Sequence, residues 1–157
     1  RLSPEAGTAL REAMGGPAVG VRFVRRSSWL GTPLRHGRWG CDRVVRACLR
    51  DRGRWSGGLH ERLVVDGQVA TVTAPILHEP YRDWLEHLRT IDTYSRRHAD
   101  ELREAGVRVR RGTPEARAML HFIDAMTRRA AWLDGPSGIA VAALGAAHTH
   151  LKWSRAR

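Results

Sequence analysis

The chain is 157 residues long, enough for one domain with a real core. Its 27 Lys and Arg against 16 Asp and Glu give a formal net charge of +11, which favours anionic partners such as nucleic acid, phospholipid or sugar phosphate. Cys41 and Cys48 lack the spacing of a disulfide framework or a zinc site and read as reduced thiols, and no stretch approaches the roughly twenty apolar residues that span a bilayer.

Ser3-Pro4-Glu5 starts a helix, with Ser3 as N-cap and Pro4 at the first helical position, and Gly15-Gly16-Pro17 stops it after Met14. Val19 to Arg25 alternates, with Val21 and Phe23 on one side, and predicts a strand. Val44, Val45, Ala47, Cys48 and Leu49 make a second strand within Asp42 to Arg50, ended by Asp51-Arg52-Gly53. Leu63 to Val65, Asp66-Gly67 and Val69 to Leu77 read as a β-hairpin, because Asp-Gly between β-branched runs is a strong hairpin cue.

From Glu79 the period changes. Trp84, Leu85, Leu88, Ile91, Tyr94, Ser95, His98 and Leu102 fall at helical spacing and predict an amphipathic helix from about Tyr81 to Ala105, ended by Gly106. Thr113-Pro114-Glu115 caps and starts a further helix carrying Met119, Leu120, Phe122, Ile123, Met126 and Trp132 before Asp134-Gly135. A last, Ala-rich helix covers about Ser137 to Trp153.

The stretch from Trp29 to Glu61 holds the chemistry. Trp29, Arg35, His36 and Trp39 stand among glycines that let the backbone turn, and Gly57-Gly58-Leu59 delivers His60-Glu61. Cation, imidazole and carboxylate in one flexible stretch look like the lining of a site for an anionic leaving group. Arg35 matches phosphate oxygens two at a time with its planar fork, and His36 adds a second donor. Glu61 is the candidate base, Asp42 and the flat rings of Trp39 and Trp55 the candidate acceptor surface, and His60 a candidate metal ligand. His148 and His150, two apart on a helix, diverge and do not share a metal.

Together with the downstream helical half of the chain, this stretch resembles the bacterial family-2 glycosyltransferases of the lipopolysaccharide-core glucosyltransferase type. The resemblance rests on Arg35-His36-Gly37, Trp39, Ser56-Gly57-Gly58-Leu59-His60-Glu61, Leu77-His78, Tyr81-Arg82-Asp83, Tyr94-Ser95, and Leu133-Asp134-Gly135 with Gly138. It implies an inverting transferase with an α/β, partial GT-A-type fold: a short mixed sheet with a hairpin, then C-terminal amphipathic helices. Residues 1–78 would be the acceptor-side part of the catalytic domain and 79–157 a helical region. The resemblance also implies a nucleotide-sugar donor, a glycan or lipid-linked acceptor, and a divalent cation (Mg2+ or Mn2+). Most ligands of that cation, and the nucleotide-binding half, would precede Arg1, leaving the isolated chain nearly inactive. Arg35 and His36 would steady the diphosphate and Glu61 would take the acceptor proton. Arg38, Gly40-Cys41 and Val44 depart from the family pattern, which bears on the acceptor more than on the reaction class.

Two other readings stay open. The net charge fits a basic nucleic-acid-binding module, although the arginines are spread over every element without a known binding motif. Trp132 and Trp153 bracket an apolar face with basic residues at its ends, which fits either a peripheral membrane domain or ordinary helix packing. The expected location is cytoplasmic, with the inner face of the cell membrane as the alternative, and nucleic acid is not the expected partner.

Overall fold

The computed structural model describes residues 2–40, 42–57 and 61–157. It is a mixed α/β structure whose chain divides into two compact units, Arg1–Ser27 with Cys41–His78, and Ser28–Gly40 with Glu79–Arg157.

In the first unit, helix α1 (Pro4–Met14) begins where the sequence predicts, with the Ser3 hydroxyl accepting the Ala6 N–H at 3.2 Å. Strand β1 (Gly20–Trp29) is the centre of the sheet and outruns its predicted end by four residues, because the inward alternation continues past Arg25 to Ser27 and Trp29. Strand β3 (Asp42–Cys48) pairs with it antiparallel, and β6 (Val69–His78) pairs with it in parallel. Ala6, Val21, Phe23 and Val72 form the core between α1 and this sheet. Burying such a set removes apolar surface from water at roughly 25 cal/mol per Å².

Two irregularities interrupt the ladders. Between Phe23 and Arg25 the β1–β6 register jumps from Val72 to Ile76, and the skipped segment contains Pro75, which has no N–H to give a ladder. Between Val21 and Arg22 the β1–β3 register skips Arg46. This bulge turns Arg46 aside, and its guanidinium lies 5.9 Å from the ring centre of Trp55.

The hairpin expected across Asp66-Gly67 does not form. Strand β5 (Arg62–Val65) pairs with β4 (Gly53–Ser56), and β6 leaves to join β1. The Asp66 N–H donates to the Arg52 carbonyl at 2.8 Å, closing the β4–β5 pair, while the Gln68 carbonyl accepts from Val19 at 2.9 Å and starts β6 along β1. Gly67 makes the change of direction at φ +128, a conformation open to glycine.

In the second unit, Ser28 and Trp29 at the end of β1 pair with the two-residue strand β2 (Thr32–Pro33) across a turn at Leu30 and Gly31. Helix α2 (Trp84–Glu104) is capped by Asp83, whose carboxylate accepts the Glu86 N–H at 2.7 Å, while Glu86 accepts the Arg82 N–H at 2.8 Å. It ends in a Schellman motif: Gly106 takes φ +67, and the N–H groups of Gly106 and Val107 reach the carbonyls of Arg103 and Leu102. Its buried stripe is His87, Ile91, Ser95, His98 and Ala99, whereas Leu85, Leu88 and Tyr94, expected on that stripe, are exposed.

Helix α3 (Thr113–Met126) starts at Thr113, the residue expected as its cap. Thr113 is helical, and Gly112, in the left-handed region, occupies the cap position without a side-chain bond. The helix does not run on to Trp132. Thr127 caps it by turning both its N–H and its hydroxyl onto the Ile123 carbonyl, Ala130 takes φ +49, and Ala131–Asp134 form a 3-10 turn. Helix α4 (Gly135–Arg155) comes next and packs against α2 and α3.

Candidate functional site

Two clusters in the second unit collect the chemistry-bearing side chains. The first is built on Asp134, at the end of the 3-10 turn. Its carboxylate accepts the backbone N–H of Arg35 at 3.0 Å and of His36 at 2.7 Å on one oxygen, and lies 2.8 Å from Nδ1 of His36 on the other. The Asp134 side chain is 5% exposed and the His36 side chain 37%. The next residue, Gly37, donates its N–H to the Arg129 carbonyl at 2.8 Å and takes φ +70. Arg38 continues the latch onto Asp124, which also pairs with Arg128 and Arg129. Those guanidiniums hold the Asp124 carboxyl below its ordinary range, the Arg129 hydrogen bond most of all. Arg35 itself is exposed, with its backbone fixed by Asp134.

The second cluster is aromatic. The Trp29 indole N–H donates to Nδ1 of His87 at 3.1 Å. Tyr81 stacks on the His87 ring at 3.9 Å between centres, Trp39 lies 5.9 Å from Tyr81 and 5.7 Å from His87, and Trp84 meets Trp29 edge-on at 4.5 Å. Burial pushes the His87 imidazole down to about 4, so the ring is neutral at ordinary pH. Since Nδ1 accepts from the indole, Nε2 carries its hydrogen.

The remaining expected site residues lie in the first unit. Asp42 accepts a hydrogen bond from Arg25 at 2.5 Å, so its carboxylate is engaged in an ion pair. Trp55 is 56% exposed beneath Arg46. Glu61 is exposed immediately before β5. His60, the expected metal ligand, falls outside the described residues, as do Cys41, Gly58 and Leu59. Among the described residues, no three His, Cys, Asp or Glu side chains converge to hold a metal ion.

The structure thus brings Arg35 and His36 together through Asp134, and sets Trp39 against Tyr81 and His87. Asp134 and His87 are the residues that reading for chemistry did not single out. Asp134 was visible as part of the Leu133-Asp134-Gly135 turn, but its partners are 98 and 99 positions away. His87 sits four residues before Ile91 on the buried stripe of α2, which was the available signal. As expected from their spacing, His148 and His150 diverge: the His148 ring faces that of His98, and His150 meets the Ser154 hydroxyl.

Among the described residues no helix is long and apolar enough to cross a membrane. No protein-family model matches the chain, and no solved structure matches it.

Proposed function

We propose that this chain is the acceptor-side and C-terminal part of an inverting family-2 glycosyltransferase of GT-A type. It would move a sugar from a nucleotide-sugar donor to a lipopolysaccharide-core or other lipid-linked glycan acceptor. One observation carries the reading: blocks of the sequence resemblance that are far apart along the chain meet in space. Asp134 of Leu133-Asp134-Gly135 grips the backbone of Arg35 and His36, and Trp39 lies against Tyr81 of Tyr81-Arg82-Asp83.

The chemistry fits that arrangement. A departing diphosphate needs fixed positive charge, and Arg35 is an exposed arginine whose backbone N–H is bonded to Asp134. A flat aromatic surface orients a sugar ring, which Trp39 and Tyr81 supply. The sequence offers Glu61 as base, and the divalent cation would be held mainly by residues outside this chain, with His60 as a further ligand.

Titration of the chain, labelled at arginine side chains, with inorganic pyrophosphate tests the reading. Shifts concentrated at Arg35 and lost in Arg35→Ala are expected. Small, uniform shifts across all arginines would instead mark nonspecific charge, and a steep log–log salt dependence of DNA binding would favour the nucleic-acid reading.

A second reading, peripheral attachment to an anionic membrane, is favoured by one feature of α3. Met119, Leu120 and Ile123 are 59%, 62% and 46% exposed, and Trp132 and Leu133 in the adjoining turn are equally open. Arg117, Arg128 and Arg129 accompany them in sequence. The two readings are compatible, since a lipid-linked acceptor lies at such a surface.

A further inference from the structure

We infer that His36 and Asp134 form a proton-transfer dyad, in which Nε2 of His36 takes the proton of the acceptor hydroxyl. For its substrate this rests on the glycosyl-transfer reading; the dyad itself rests on geometry. Ionised Asp134 has only acceptors, so the 2.8 Å contact requires the hydrogen to sit on Nδ1 of His36. In the neutral ring Nε2 then holds the lone pair.

The imidazole is held at Nδ1, and the backbone around it is tied down as well. The carboxylate that meets Nδ1 also accepts the backbone N–H of the same residue at 2.7 Å, and Gly37 is tied to the Arg129 carbonyl. With 37% of its side chain exposed, His36 is neither buried filler nor a loose surface residue. A nearly buried carboxylate behind an imidazole, fixing its tautomer and waiting to pair with the imidazolium, is the arrangement of a general base and its positioning residue. Arg35, in the same turn, is exposed.

This changes the role of His36. In the proposed step His36 is a proton acceptor, a role that uses the ring with hydrogen on Nδ1 and a lone pair on Nε2. Glu61, the base expected from the sequence, is an exposed residue of the other unit. In the step, the acceptor oxygen bonds to the anomeric carbon as the bond from that carbon to the diphosphate oxygen breaks. The electron pair leaves on the diphosphate, and the hydroxyl proton passes to Nε2.

The test uses the 157-residue chain. Long-range proton–nitrogen correlation spectra should show His36 with a pyrrole-type Nδ1 and a pyridine-type Nε2. In Asp134→Asn the amide oxygen would take the backbone N–H groups and its NH2 would face Nδ1, moving the ring hydrogen to Nε2. Diethyl pyrocarbonate, mapped by peptide mass, should then modify His36 about tenfold more slowly than in the wild type. If that variant does not fold, the wild-type tautomer and the rate of His36 relative to His150 decide. A hydrogen on Nε2 in the wild type, or modification no faster than at His150, overturns the dyad. If both His36 results hold while pyrophosphate leaves Arg35 unmoved, the dyad stands and the sugar-nucleotide reading falls.

Discussion

Trp29 donates its indole N–H to Nδ1 of His87 over 3.1 Å, and the two residues are 4% exposed each. The bond joins the end of β1 to the first turns of α2 and requires a neutral imidazole, because a protonated Nδ1 has no lone pair to receive it.

Stability should therefore fall in mild acid. Burial lowers the His87 pKa from 6.5 to about 4, so between those values the unfolded chain binds a proton that the folded chain does not. The contribution is complete above pH 6.5, is lost as pH falls towards 4, and amounts to about 3 kcal/mol. Burial pushes His121 and His78 the same way. Asp92, held low by hydrogen bonds from Arg96 and Arg155, and Asp124 lose their contribution only at more acid pH. Urea unfolding from pH 7.5 to 4.5 should give a shallower slope in His87→Phe than in the wild type. An identical slope would remove His87 as the source.

Asp134→Ala removes one acceptor from two backbone donors and an imidazole at once. The expected cost is about 2 kcal/mol, since hydrogen bonds to a charged acceptor are the expensive ones to delete and Asp134 is nearly buried. Amide exchange should quicken at Arg35 and His36 and change less at Gly37, whose partner is the Arg129 carbonyl. Unaltered exchange at Arg35 and His36 would show that the turn does not depend on this carboxylate.

Gly138→Ala should destabilise the protein although alanine is the better helix former. A Cβ at position 138 would lie 1.9 Å from the Ala131 carbonyl oxygen and 2.9 Å from Cβ of Asp134, so the 3-10 turn would have to move. Overpacking against backbone of this kind costs roughly 1–3 kcal/mol or more, against a propensity gain near 1. Thermal unfolding decides the sign, and a raised Tm would mean that the turn yields freely.

Leu120→Glu with Ile123→Glu should leave folding almost unchanged, because both side chains are about half exposed or more. Surface changes of this kind stay within about 0.5 kcal/mol each. Flotation with phosphatidylglycerol vesicles should fall about tenfold in the double variant, as lost apolar contact and added negative charge act together. Equal flotation would remove α3 from any membrane contact.

Much of the helix placement was legible because its signals are local. Ser3, Pro4, Gly106 and Pro114 act on the backbone within a few residues, and the helices begin or end close to them. The hairpin at Asp66-Gly67 misled for a related reason. Asp-Gly allows a turn, but two extended segments beside a turn pair with each other only if no better edge is available. For Val69–His78 that edge is β1, which gains it the core of Val21 and Phe23. The end of α3 was hidden because nothing at Thr127 or Ala130 forbids a helix.

By itself the sequence determined where α1 begins and ends, that Val19 to Arg25, Asp42 to Arg50 and Val69 to Leu77 are extended, and that the chain from Glu79 on is mainly helical. Each of these comes from short-range sterics and periodicity. Only the tertiary structure decided that β6 runs parallel to β1, that Leu120 faces outward, and that Asp134 closes on His36 across 98 positions. Hydrophobic spacing reports that a face exists and not what covers it, and a hydrogen bond between distant loops leaves no trace in the residues around either end.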